Sequence, residues 1–342
     1  MNVVSTEHTR DHRHYFLYRA LEPLKPFLAD PRVIEVSINR PGHVYVERLG
    51  AEHMEFFSAP ELTTAEIVNI GERVAASTNQ FISSANPILS AALPTGERIQ
   101  IVLPPAAVDG GAISVRKQVV NDFSLDDYRD NGAFDQVLVT IGGATDVDWE
   151  LTSLLHARDV HGFLRCAIAN RISILISGGT SSGKTTFLNA CLKSVDPLER
   201  VITLEDTREL FPPQANAVHL LASRGDQGTA CVTIENLLEA SLRMRPDRLF
   251  VGEVRGQEAF FFLRAINTGH PGSMTTVHAD TPFGAYEQLA MMVMQSGLSA
   301  AYPKADLISY IRSVIPIVIQ LRREGGRRCV SEIFFERMVE KP

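Results

Sequence analysis

The sequence predicts an α/β protein in two parts: a smaller N-terminal α+β domain and a C-terminal phosphate-loop domain on a mostly parallel sheet. Three observations lead there. Residues 178–185 read Gly-Gly-Thr-Ser-Ser-Gly-Lys-Thr, a complete G-x-x-x-x-G-K-[ST] pattern. Beyond residue 150, apolar β-branched runs alternate with helix-forming stretches, as in a parallel sheet covered on both faces. Before residue 120, short strand patterns joined by turns accompany helical stretches, which is an α+β signature. The expected divisions are 1–120, a linker over 121–149, and 150–342.

In chain order, Phe16, Leu17, Leu21, Leu24, Phe27 and Leu28 fall at helical spacing. Residues 33–39 and 43–47 read as strands turned at Arg40-Pro41-Gly42. Residues 63–77 read as a helix that Thr63 or Thr64 can cap. Residues 98–103 and 112–117 read as further strands. Asp130-Asn131-Gly132 and Gly142-Gly143 belong to a turn-rich stretch, read as a linker with one short helix. One helix is expected over 151–170, then a strand at 172–177 and a helix at 184–195. Strands at 200–204, 248–252 and 273–278 alternate with helices at 234–244, 256–268 and 282–295. Residues 316–321 and 328–337 read as two strands around Glu324-Gly325-Gly326.

Composition narrows the classes. Of 342 residues, 45% are apolar, ample for two cores. The 33 basic and 40 acidic residues leave a net charge of −7, which argues against a chain that coats nucleic acid. Cys166, Cys191, Cys231 and Cys329 form no C-x-x-C pair, so no zinc knuckle or disulfide frame is expected. Buried, reduced thiols are the expected reading, and they suit the cytoplasm. Residues 1–14 are polar, so no signal peptide is expected. No window nears the roughly 18 apolar residues of a membrane span, so any membrane contact would be peripheral.

The phosphate loop sits between a strand and a helix, the context its chemistry needs. Its glycines let backbone N–H groups turn inward, and the helix N-terminus favours an anion. The loop residues Gly178, Gly179, Thr180, Ser181, Ser182, Gly183, Lys184, Thr185 and Thr186 are the expected nucleotide contacts. Lys184 would reach the β- and γ-phosphates of a nucleoside triphosphate, and the Thr185 hydroxyl would ligate Mg2+. Two acidic strand ends follow, Glu205-Asp206 and Glu253. Parallel strands share one carboxyl edge, so these acids could converge on the loop rather than merely cap the next helix. His270 and His278 bracket one strand, and a histidine N–H suits a γ-phosphate oxygen.

With those residues in place, the chain resembles the secretion (traffic) ATPase superfamily, a RecA-like group. It has four boxes in order: the phosphate loop, Ile202 to Leu210, Ser241 to Arg255, and Gly269 to His278. Val36-Ser37-Ile38-Asn39-Arg40-Pro41-Gly42 and Leu93-Pro94-Thr95-Gly96-Glu97-Arg98-Ile99-Gln100 are most similar to the VirB-type branch, the eleventh component of type IV secretion systems. The resemblance implies a C-terminal RecA-like domain and a homohexameric ring hydrolysing ATP with Mg2+ to drive substrate transfer or pilus assembly. It implies Glu205 as the group that polarises the attacking water. Glu253 would assist Mg2+ through water, and His278 and His270 would sense the nucleotide. Arg98 and Arg116 would reach the γ-phosphate from the N-terminal domain. It also implies a location on the cytoplasmic face of the inner membrane, beside other secretion components, without sequence-specific nucleic-acid binding. The competing readings are a type II secretion or pilus-retraction ATPase and a DNA-translocating RecA-like motor. Type II and pilus-assembly relatives usually carry a four-cysteine zinc element, retraction ATPases have different N-terminal motifs, and a DNA motor would want a basic–aromatic platform.

Overall fold

The computed structural model describes residues 14–118, 124–135, 137, 143–223, 229–297 and 303–339. Part of the expected 121–149 linker lies outside them. Its described portions hold a capped helix, Leu125–Asp130, and the start of the helix Asp146–His156.

The N-terminal half is built on a six-stranded antiparallel sheet, in the order β3-β2-β1-β6-β5-β4. The strands are β1 (Val33–Arg40), β2 (Gly42–Arg48), β3 (Glu55–Ala59), β4 (Ile88–Ala92), β5 (Arg98–Val102) and β6 (Ala112–Arg116). The helix Thr64–Ser77 buries Ile67, Ile70 and Val74, spaced three and four apart, against this sheet. Thr63 caps it by accepting from the Glu66 N–H.

The C-terminal half holds seven strands in the order β13-β12-β7-β11-β10-β8-β9. These are β7 (Ile174–Gly178), β8 (Val201–Glu205), β9 (Ala217–Leu221), β10 (Arg248–Val251), β11 (Met274–Val277), β12 (Ile317–Glu324) and β13 (Arg327–Phe335). All neighbours are parallel except the β12–β13 hairpin. Strands β7, β8, β10 and β11 are buried throughout, because helices cover both faces. Asp146–His156, Val160–Ala169 and Lys184–Leu192 contribute to the core of one face. Ile234–Ser241, Glu258–Asn267, Pro282–Gln295 and Lys304–Val314 contribute to that of the other.

Several expectations are corrected. The single helix over 151–170 is two, because Arg158 adopts a left-handed φ of 56° and Asp159 recaps the chain on the Gly162 N–H. Strands β3, β4 and β9 and the helix Lys304–Val314 were not expected. Of the four cysteines only Cys191 is buried; Cys231 is exposed, and all four are free. Among the described residues, no helix is long and apolar enough to cross a membrane.

The two sheets are joined along the edge strand β9. Ala107 bridges Leu220, and Leu221 N–H donates to Ala106 O at 2.8 Å, which covers an edge that would otherwise be open. Arg200, fully buried, is the deepest anchor. It donates to Met244 O at 2.9 Å, Asn216 Oδ1 at 2.8 Å, Ser114 Oγ at 3.4 Å and also Asn39 Oδ1. Burial pushes its pKa down to about 10. Arg245 grips both oxygens of Glu47 at 2.7 Å, the planar fork matched to a carboxylate.

Candidate active site

The phosphate loop leaves the carboxyl end of β7 and enters the helix Lys184–Leu192. Ser181 at φ 62° and Gly183 at φ 94° supply the left-handed turns that curl the backbone into a cradle. Gly178 is required for another reason: a Cβ there would lie 2.5 Å from Ser182 Oγ and 2.7 Å from Leu321 O. Lys184 is buried, and its Nζ donates to Gly178 O at 2.9 Å and Gly179 O at 3.3 Å. Burial lowers its pKa from the usual lysine value, against the pull of Glu253.

The acids lie on the sheet edge from which the loop leaves. Glu205 ends β8, Glu253 follows β10, and His278 follows β11, so three neighbouring strands deliver them to one edge. His278 is a bridge: its ring nitrogens lie 3.3 and 3.4 Å from Lys184 Nζ, and its Nε2 lies 2.8 Å from Glu253 Oε1. Glu205 Oε1 accepts the N–H groups of Glu209 and Leu210 at 2.8 and 2.9 Å. Burial raises the Glu205 pKa, with those two amides pulling the other way. Gly252 leaves room beside Glu205, since a Cβ there would sit 3.3 Å from Glu205 Cγ.

Arginines not anticipated from the sequence complete this edge. Arg255 is held at 2.6 Å by Glu253 and at 3.1 Å by Asp206. Arg328 of β13 donates to Ser181 O at 3.3 Å and lies over Gly183, where a Cβ would meet its Cδ at 2.7 Å. The spacing of Arg255 two residues after Glu253 was a usable signal. Nothing local in the sequence pointed to Arg328.

The donor set fits a magnesium–triphosphate. It offers a hydroxyl (Thr185) and carboxylates (Glu205, Asp206, Glu253), all hard oxygen ligands. Ser182 Oγ and Glu205 Oε2 are buried without a hydrogen-bond partner among the described residues, as groups awaiting a polar ligand would be. Glu253 Oε2 is held by Arg255, while Glu253 Oε1, 2.8 Å from His278 Nε2, is likewise without a hydrogen-bond partner among the described residues.

Three expected site residues lie elsewhere. His270 precedes β11 and pairs with Pro246 O at 3.0 Å, so the strand separates it from His278 by about 13 Å of rise. Arg98 and Arg116 pair across β5 and β6. They line a cavity of about 370 Å³ with Glu35, Arg243 and Arg245, beside the amino end of β10 rather than at the loop. The expected catalytic set is thus split between the carboxyl edge of the large sheet and, near its amino edge, a cavity shared with the small sheet.

Burial in that second cluster holds the Glu35 carboxyl at about 7, against the pull of Arg200 and Arg116. The folded chain keeps a proton there that the unfolded chain releases above 4.5, so this contribution to stability falls as pH rises from 4.5 through 7. Glu35→Gln should remove the loss. The unfolding free energy of the native chain, from urea titrations, is expected to drop relative to the variant between about pH 5 and pH 8, by about 3 kcal/mol at most. Parallel curves would refute it.

Comparison with known proteins agrees with this geometry. The family model described as "Type II/IV secretion system protein" matches residues 19–340. The "Type IV secretion system protein VirB11" of Bartonella quintana (strain Toulouse) is 40% identical over 328 residues, covering 92% of each chain. "Protein VirB11" of Agrobacterium fabrum is 34% identical over 319 residues, again 92% of each. The crystal structure of the VirB11 ATPase from the Brucella suis type IV secretion system, in complex with sulphate, superposes with a TM-score of 0.88 at 36% identity. It covers 94% of this chain and 99% of that one. With a phosphate loop, converging acids and these relatives, the chain belongs to the type II/IV secretion system protein family and, within it, to the VirB11 ATPases.

Proposed function

We propose that this ATPase works in a type IV secretion system as a homohexameric ring, in which the arginine-lined edge of one protomer completes the phosphate site of the next. The observation that carries the reading is the split of the candidate set. Lys184, Glu205, Glu253 and His278 gather at the loop, while Arg98, Arg116 and His270 lie at the far edge. A head-to-tail contact that closes into a ring would juxtapose two such edges at every interface.

The loop amides and Lys184 bind the β- and γ-phosphates of ATP. Thr185, with Glu253 through water, would hold magnesium, which neutralises phosphate charge when bound. Glu205 takes the proton of the attacking water. His278, between Lys184 and Glu253, registers whether the γ-phosphate is present. The neighbour's Arg98 and Arg116 offer planar forks to that phosphate and lose their partner on hydrolysis, which loosens the interface. The division at 121–149 is proposed to let residues 1–120 and 150–342 of one chain serve two different nucleotide sites. Docking against other secretion components on the cytoplasmic face of the inner membrane belongs to the same proposal.

A mixing experiment tests it. A Lys184→Ala chain and an Arg98→Ala/Arg116→Ala chain are each expected to be inactive alone. Mixed rings contain interfaces with an intact loop on one side and intact arginines on the other, about a quarter of them in a random equal mixture. Turnover should return on mixing. Mixed rings, verified by tag capture, that stay inactive would place the arginines in cis and sink the arrangement.

A further inference from the structure

We propose that Asp109, a residue of the N-terminal half, is a positioning residue for ATP hydrolysis, acting through Arg208 on the Glu205 carboxylate. The proposal rests on the assignment of Glu205 as the water-polarising group.

The links are short. Asp109 Oδ1 accepts Arg208 Nη1 at 2.9 Å. The next two residues after Arg208, Glu209 and Leu210, supply the N–H groups that hold Glu205 Oε1 at 2.8 and 2.9 Å. The same segment is tied at its other end to the phosphate-loop helix. Asn189 Nδ2 donates to Glu209 O at 2.7 Å, and Asn189 Oδ1 accepts the Phe211 N–H at 2.8 Å. Residues 208–211 therefore form a strap across Glu205. Asp109 holds one end, Asn189 the other, and Leu210 is fully buried between them. Without Asp109, the contact that steadies the Arg208 end among the described residues is its stacking over Phe211, at 6.0 Å from the ring centroid.

Asp109 is itself fixed. Val108 N–H donates to His219 O at 3.2 Å, and Ala107 bridges Leu220 on β9. Gly110 and Gly111 lie hard against the helix Thr64–Ser77, since a Cβ would come within 2.7 Å of Thr64 Oγ1 and 2.6 Å of Ile67 Cγ2. A shift of this segment must move the carboxylate that anchors the strap. His219 Nε2 lies 4.0 Å from Asp109 Oδ2, but burial and Arg208 push the His219 pKa down to about 4. At neutral pH the ring carries no charge to compete with Arg208. The Asp109–Arg208 pair is partly exposed, so its loss should cost the fold little, which separates positioning from stability.

The test uses the full chain, steady-state ATPase kinetics and thermal melting. Asp109→Asn is expected to lower kcat about tenfold, with KM within about twofold and an unchanged Tm. Arg208→Gln should do the same, and the double variant should be no worse than either single one. The reversed pair Asp109→Arg/Arg208→Asp should recover turnover. Unchanged kcat in Asp109→Asn would overturn the proposal. So would parallel losses of kcat, KM and Tm that the reversed pair fails to rescue. Glu205→Gln separates the two layers. If it stays active, the assignment of Glu205 fails. If it is inactive while Asp109→Asn turns over normally, only the positioning role fails.

Discussion

Lys184→Ala is expected to reduce ATP turnover by about three orders of magnitude or more, about 4 kcal/mol of transition-state stabilisation, without weakening the fold. The two halves of that expectation have different physical sources. Charge accumulates on the β- and γ-oxygens in phosphoryl transfer, and Lys184 is the one cation that the phosphate loop itself supplies. Its Nζ already points into the curl of the loop, toward the carbonyls of Gly178 and Gly179. The ammonium is also buried, and burial lowers its pKa. The folded state thus carries the charge at a cost below that pKa, where the unfolded chain holds it in water. Alanine removes the cost, so Tm should hold or rise. Steady-state hydrolysis together with thermal melting checks both halves. An active Lys184→Ala protein would dismiss the site, and an inactive one with a collapsed Tm would show that the loss came from unfolding.

The phosphate loop was legible because its chemistry ties residue types to fixed spacings, and the flanking strand and helix appear as expected. The acids were legible through topology, since a parallel sheet must deliver Glu205 and Glu253 to one edge. His270 was not, although the span of β11 is enough to carry it away from His278. Strand β4 escaped because Ile88-Leu89-Ser90-Ala91-Ala92 is short and alanine-rich, and β9 because it follows the irregular Phe211-Pro212-Pro213 stretch. The helix Lys304–Val314 does carry a helical signal, with Leu307 and Ile311 buried four residues apart. Contacts distant in sequence were silent altogether: nothing near Asp109 announces Arg208, and nothing near Asn39 announces Arg200. Those contacts also bear on motion. A swing of the N-terminal half against its own ATPase sheet would have to part Arg200 from Asn39 and Ser114 and break the Arg245–Glu47 fork. In the proposed ring, a boundary between protomers requires neither.

Glu205→Gln is expected to leave ATP binding intact and to slow hydrolysis by about two to three orders of magnitude. The substitution is unusually clean here. Both contacts that fix Glu205 Oε1 are backbone N–H donors, from Glu209 and Leu210, and a glutamine carbonyl can accept them at the same distances. Position is preserved while the capacity to take a proton from water is removed. The burial that raises the Glu205 pKa makes it a better base than an exposed carboxylate, and it also sets a pH signature. Protonation from the acid side silences the group, so the acidic limb of kcat should lie above the ordinary carboxylate range. The two strap amides, which favour the charged form, keep that limb from rising further. In Glu205→Gln the residual rate should show no such limb. Nucleotide binding by equilibrium titration and single-turnover hydrolysis separate the steps. Wild-type turnover in the variant would remove Glu205 from the mechanism, and an unaltered acidic limb would assign that titration to another carboxylate. If both results come out as expected, ATP-loaded protein should accumulate, because the γ-phosphate is no longer removed.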